Sequence, residues 1–179
     1  MIAAKITSIA LAAIFSTASL AMPSSNGETF IQARQEIDTS NWVSVDFQGK
    51  TLKYNPAALN TSVQVHTTSS GDVFSPAVIT KDCCGDSSFS GTDAPWPSEG
   101  DCAVIRDWAY TLNAYWSIWT NTPDYHGVVV YNTCVFGAGT RNTYDTYIGS
   151  SDMGDIVRDS ITRLANNGLV GAAGNMGST

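Results

Sequence analysis

Residues 128–140 read VVVYNTCVFGAGT, residues 148–168 read IGSSDMGDIVRDSITRLANNG, and residues 169–176 read LVGAAGNM. The branched run Val128-Val129-Val130, with Val135 and Phe136 after it, predicts one long central strand, since branched and aromatic side chains fit a pleated, half-buried surface. Asp152 with Asp155 three residues on predicts a helix start, the first carboxylate capping free amides and both complementing the positive end of the helix dipole. Met153, Ile156, Val157, Ser160, Ile161 and Leu164 recur at helical spacing, leaving Arg158, Asp159 and Arg163 on the other face. Gly168, after Asn166-Asn167, is the left-handed stop that glycine adopts cheaply. The order is strand, crossover, capped helix, closing strand. No catalytic apparatus is written in it.

Upstream, Ser98 and Asp101 predict the start of another helix, with Cys102, Ile105, Trp108, Ala109 and Leu112 along one side and Arg106 and Asp107 opposite. Tyr115 to Trp119 alternates as a strand, and Asn121 to Asp124 reads as a turn. Two helices set apart from an antiparallel sheet make the fold class α+β, an antiparallel sheet with two helices packed on it.

Residues 1–21 read as a signal peptide. Lys5 is their only charge, Ile6 to Phe15 are a short apolar run, and Ser19-Leu20-Ala21 is a small-x-small cleavage site. The run is too short to span a bilayer, so no membrane span is expected and the product is expected to be secreted and extracellular. Removing the leader takes one of the 9 basic side chains and none of the 16 acidic ones, changing the net charge from -7 to -8. An acidic surface repels phosphate backbones, which argues against nucleic acid as a partner. Residues 22–81 form a Ser/Thr-rich extension. Val43, Val45 and Phe47 before Gln48-Gly49-Lys50, and Leu52 and Tyr54 after it, predict a hairpin turning at Gly49. Ser62 to His66 and Val73 to Ile79 are weaker strand candidates, the second broken by Pro76. Asn60-Thr61-Ser62 is a glycosylation sequon, whereas Pro123 blocks Asn121-Thr122-Pro123.

Cys83, Cys84, Cys102 and Cys134 all fall in residues 82–179, and an oxidising destination makes disulfides their expected state. Of three possible connectivities, the preferred one joins Cys102 on the buried helix face to Cys134 in the central strand. That bond pins helix to sheet and is worth roughly 3 to 4 kcal/mol in the chain-entropy view. Adjacent cysteines without a nearby histidine pair do not suggest a metal site. His66 and His126 are the only imidazoles, and neither stands in a nucleophile-base pattern. Asp82 and Asp86 lack the spacing of a calcium loop, so turn roles explain them more simply. No catalytic residue, metal ligand or cofactor is expected.

A resemblance rests on Cys84-Gly85-Asp86-Ser87-Ser88-Phe89, Gly100-Asp101-Cys102, Trp116, Thr133-Cys134-Val135-Phe136-Gly137, Asp155-Ile156, Asp159-Ser160-Ile161, and Gly168-Leu169-Val170-Gly171-Ala172 with Gly174 and Met176. In order and spacing these resemble a fungal family of secreted necrosis-inducing effectors, the homologues of extracellular protein two of the tomato leaf-mould fungus Cladosporium. The match covers about residues 82–177. It implies a secreted, disulfide-bonded, non-enzymatic toxin-like virulence protein, acting on a host or competitor protein or on a cell-wall component. Some members are attached to chitinases; this chain has no room for one, so the stand-alone form is expected. The helix order and the Gly-rich closing strand also resemble the killer-toxin fold of smut fungi, a likeness of fold alone. The family pattern has a cysteine shortly after the position of Met176, where this chain has Gly177-Ser178-Thr179. Cys84 therefore lacks its usual partner and Cys83 is additional, so the two bond to each other, one stays free, or one reaches another chain. The competing reading is a cell-wall carbohydrate-binding protein using Trp96, Trp108, Trp116 and Trp119. Core packing accounts for at least two of these, and Trp96, between two prolines, is the one expected outside.

Overall fold

The computed structural model describes residues 5–13, 37–60, 82, 84–118, 122–140 and 146–178. In chain order the elements are β1 (Lys5–Ala13), β2 (Val43–Phe47), β3 (Lys50–Tyr54), β4 (Leu59–Asn60), β5 (Cys84–Gly91), α1 (Glu99–Thr111), β6 (Tyr115–Ile118), β7 (Thr122–Tyr131), β8 (Cys134–Thr140), β9 (Thr146–Gly149), α2 (Ser150–Leu164) and β10 (Ala172–Ser178). They make a seven-stranded antiparallel sheet, in the order β2-β3-β7-β8-β1-β10-β5, and a three-stranded one, β4-β6-β9. With the two helices this is the α+β arrangement expected.

The stretch expected as one long strand is a hairpin. Asn132 takes φ 45°, a left-handed conformation that asparagine tolerates, and Tyr131 pairs with Cys134 across the two-residue turn. A polar pair between two apolar runs reverses the chain where branched propensity alone continues it. The turn expected at Asn121 to Asp124 is not borne out at Thr122, Pro123 and Asp124, which belong to β7. The hairpin around Gly49 is as read, with Gln48 at φ 54° and Gly49 at φ 74°, the two left-handed residues of a tight primed turn. It joins the main sheet: Lys53 and Tyr54 pair with Val130 and Val129, and Leu52 is fully buried. Gly127 lies under Trp42 and Ile37, where a Cβ would come within 2.8 Å of the indole. Within the extension, β2 and β3 are thus integral to the large sheet and β4 to the small one. The strand candidates in 62–79 lie outside the described residues, as does Cys83.

The core forms where the helices meet the sheets. Ile105 and Trp108 of α1, Met153 and Val157 of α2, Val129 and Phe136 of the large sheet, and Trp116 and Ile148 of the small one are all buried. Every residue of β8 is buried. Cys102 and Cys134 form a disulfide with their Cα atoms 5.2 Å apart, stapling α1 to β8. Asp101, read as part of a helix cap, grips the β7–β8 turn instead. Thr133 Oγ1–H donates to Asp101 Oδ2 at 2.6 Å, the Thr133 N–H to the same oxygen at 3.2 Å, and Asn132 Nδ2 to Oδ1 at 3.2 Å. The Ser98 N–H donates to Thr133 Oγ1 at 3.0 Å, so staple and turn reinforce one another.

One placement departs from the sequence reading in kind. Lys5–Ala13, within the segment read as a leader, pair as β1 in the interior of the sheet, Leu11 opposite Phe136 and Ala10 opposite Ala173. A short run of branched and small apolar residues suits a leader and a strand alike.

Candidate functional site

The last strand of the sheet order, β5, and the helix α2 enclose a polar groove. Asp152 sets its inner wall. The N-cap of α2 is Gly149, so Asp152 is the third helical residue rather than the cap. Its carboxylate Oδ2 accepts the Gly149 N–H and the Cys84 N–H, each at 3.1 Å. One buried carboxylate thereby fixes the helix start to the first residue of β5, two charge-assisted bonds offsetting its loss of water. The thiol of Cys84 lies 3.5 Å from the Tyr147 carbonyl.

The groove has a volume of about 450 Å³ and is lined by Asp82, Cys84, Gly85, Asp86 and Ser87 on one side, Met176 at the floor, and Asp152, Asp155, Ile156, Arg158, Asp159 and Arg163 on the other. Five carboxylates face two guanidinium groups, leaving three negative charges. Arg158 bonds Asp155 through Nη1 and Asp159 through Nη2 at 2.8 Å, while Arg163 reaches Asp159 at 3.2 Å. The hydrogen bond that Arg158 donates to Asp159, and then the neighbouring charges, raise the Arg158 pKa. Arg163 also lies over the Phe89 ring, 5.4 Å from its centroid. At the helix–helix contact, Tyr110 of α1 donates its phenol proton to Asp155 Oδ1 at 2.7 Å. Partial burial, then that bond, push the Tyr110 phenol up to about 12. Gly154 makes room for the ring, for a Cβ there would stand 2.6 Å from it.

The residues singled out from the sequence divide into two sets. Cys84, Gly85, Asp86 and Ser87 line the groove, and Phe89 stands beneath Arg163. Cys134, Phe136 and Gly137 lie in buried β8; a Cβ at Gly137 would stand 3.1 Å from the His126 carbonyl. Gly168 takes φ 78° after α2, and Gly171 packs where a Cβ would meet Thr92 and Trp96 at 2.5 Å. Asn60 is in β4, opposite Tyr115. His126 is an exposed residue of β7 rather than part of a turn, and His66 lies outside the described residues. The aromatics pack on one another: Trp108 stacks on Tyr54 at 5.7 Å and meets Trp116 edge-on at 6.2 Å. Trp96, expected outside, is half-buried with its indole N–H donated to the Thr92 carbonyl at 2.7 Å. The pairing of Asp155, Arg158, Asp159, Arg163 and Tyr110 was not foreseen, although the spacing of Asp155, Arg158, Asp159 and Arg163 along one helix face is its sequence signal.

Two comparisons bear on this arrangement. A sequence profile of the Hce2 family, described as "Pathogen effector; putative necrosis-inducing factor", matches residues 83–177, which take in β5, both helices and β10. No curated protein matches the chain significantly.

Proposed function

The chain belongs to the Hce2 family of pathogen effectors, and on that premise we propose that it is a secreted, fungal, toxin-like effector that acts without catalysis, by binding a host or competitor target. One observation carries this reading: the Cys-Gly-Asp-Ser block at 84–87, which opens the family match, lines the acidic groove against α2. Its surplus of three negative charges suits a basic segment on the target, since complementary charge steers encounter and fixes register. The guanidinium groups in the wall are held by exposed ion pairs, each worth about 0 to 1 kcal/mol, so they can exchange partners at little cost. The Cys102–Cys134 bond fits an oxidising destination.

The test is infiltration of purified protein into plant leaf, with parallel addition to fungal cultures, each with native and reduced protein. Leaf collapse or growth arrest that disappears on reduction is the expected result. No response in either system over a wide concentration range contradicts the reading.

A further inference from the structure

The large sheet begins at an edge that is complementary to itself. β2 is its first strand, paired with β3 in an unbroken register from Val43 opposite Tyr54 to Phe47 opposite Lys50, and among the described residues no strand pairs along its other side. A two-residue turn makes the flanking pair, Phe47 and Lys50, hydrogen-bonded, and bonded pairs then alternate along the ladder. Val43, Val45 and Phe47 therefore spend their main-chain groups on β3, while Ser44 and Asp46 present theirs outward. The side chains alternate as well. Val45 and Phe47 pack against the core with Val43, 41% exposed, beside them, and Ser44 and Asp46 stand exposed on the other face. Sheet edges are commonly guarded by a lysine, a proline or a bulge, and the five residues VSVDF contain none of these.

We infer that this edge is a dimerisation surface, taken by β2 of a second copy of the chain in antiparallel register about Val45. A two-fold axis at Val45 sets Ser44 opposite Asp46 of the second copy, twice, so that the residues whose donors and acceptors point outward form the bonded pairs. On the apolar face Val45 meets its own counterpart and Val43 meets Phe47, which continues the surface of Leu52 and Tyr54 across the junction. The polar face is complementary in charge. Lys53 lies opposite Ser44 in its own hairpin, so the row across the junction runs Lys53, Ser44, Asp46 of the second copy. Lysine and aspartate are then two strand spacings apart, about 10 Å, and with only a serine between them their side chains bridge that span. Symmetry makes the pair twice. Centring on Asp46 would set two carboxylates against each other, and a slip of one residue would set apolar side chains against polar ones. A five-residue strand buries less than the roughly 1,600 Å² of a standard interface, so the association is a weak one. β5, which walls the acidic groove, is at the opposite end of the sheet order, so the dimer leaves both grooves open and presents them as a bivalent pair.

The test is sedimentation equilibrium of the purified protein from about 1 μM to about 1 mM, with hydrogen exchange at both ends of that range. The expected result is a monomer–dimer equilibrium in which the Ser44 and Asp46 amides exchange more slowly as concentration rises, while those of Val43 and Val45 change little. Asp46→Lys and Lys53→Glu should each weaken association at least tenfold by opposing like charges, and combined in one chain should bring it back to within about threefold of the wild type. Ser44→Pro removes an outward N–H that the hairpin does not use and should also weaken association at least tenfold. Should Ser44→Pro lower the melting temperature, the charge exchange decides. A monomer at every concentration, a dimer that none of these variants weakens, or a double charge variant no better than the single ones overturns the inference.

Discussion

The α1–β8 region and the β5–α2 region are held in opposite ways. The first is bound by a disulfide, a buried aromatic cluster and a carboxylate that grips a turn. The second closes, beyond the Asp152 clasp, through ion pairs whose side chains are about half exposed, as with Arg158 and Asp155 at 50% and 49%. Interactions of the first kind lose much when one partner is removed, because the other stays buried. Those of the second kind lose little, because water replaces the missing partner. The rigid region positions the groove, and the exchangeable region is free to meet a partner.

The contrast breaks most visibly in the core. Phe136→Ala should cost about 3 to 5 kcal/mol, read as the shift of a denaturant midpoint, because Phe136 is fully buried in the core. Removing the staple with Cys102→Ser and Cys134→Ser together should cost about 3 to 4 kcal/mol, with a matching fall on reduction of the wild type. Asp101→Ala leaves the N–H and hydroxyl of Thr133 without their acceptor and should cost about 1 to 3 kcal/mol. By contrast, Arg163→Ala should change stability by less than about 1 kcal/mol, and the ion-pair share of that change should shrink at high salt. Retained stability in the first three variants, or a large loss in the last, would erase the distinction.

The smallest effect is one of pH. The Tyr110 phenol is raised to about 12, so the folded chain keeps a proton that the unfolded chain loses near 10. Stability contributed by the protonated phenol is fully present below pH 10 and declines as pH rises from there through about 12. Ultraviolet titration should show one tyrosine ionising late, and Asp155→Asn should move it back toward 10. An unchanged late titration in that variant would show that Asp155 plays no part.

Legibility in the sequence follows the same division. Both helices, the Gly49 hairpin and the Cys102–Cys134 pairing were readable, since each rests on local periodicity, turn chemistry or a buried face. The Asn132-Thr133 reversal was missed because branched propensity on either side outweighed a two-residue polar signal. The groove was only half legible. Its β5 wall showed as a motif, but Asp101 and Asp152 both read as caps, and which distant amide a carboxylate reaches is decided by tertiary packing. Lys5–Ala13 carried two meanings at once, and the sequence pattern favours the leader while the full chain pairs it as a strand.

The most direct test places a charge reversal in the exchangeable region and asks what is lost. Asp86 is exposed, lines the groove and lies in the matched family block. Dose–response of leaf necrosis for wild type and Asp86→Lys, alongside their melting temperatures, should show at least a tenfold loss of potency with melting unchanged to within about 4 °C, the shift that 1 kcal/mol gives a domain of this size. Full potency in Asp86→Lys at equal stability would contradict the assignment of the groove as the surface that meets the target.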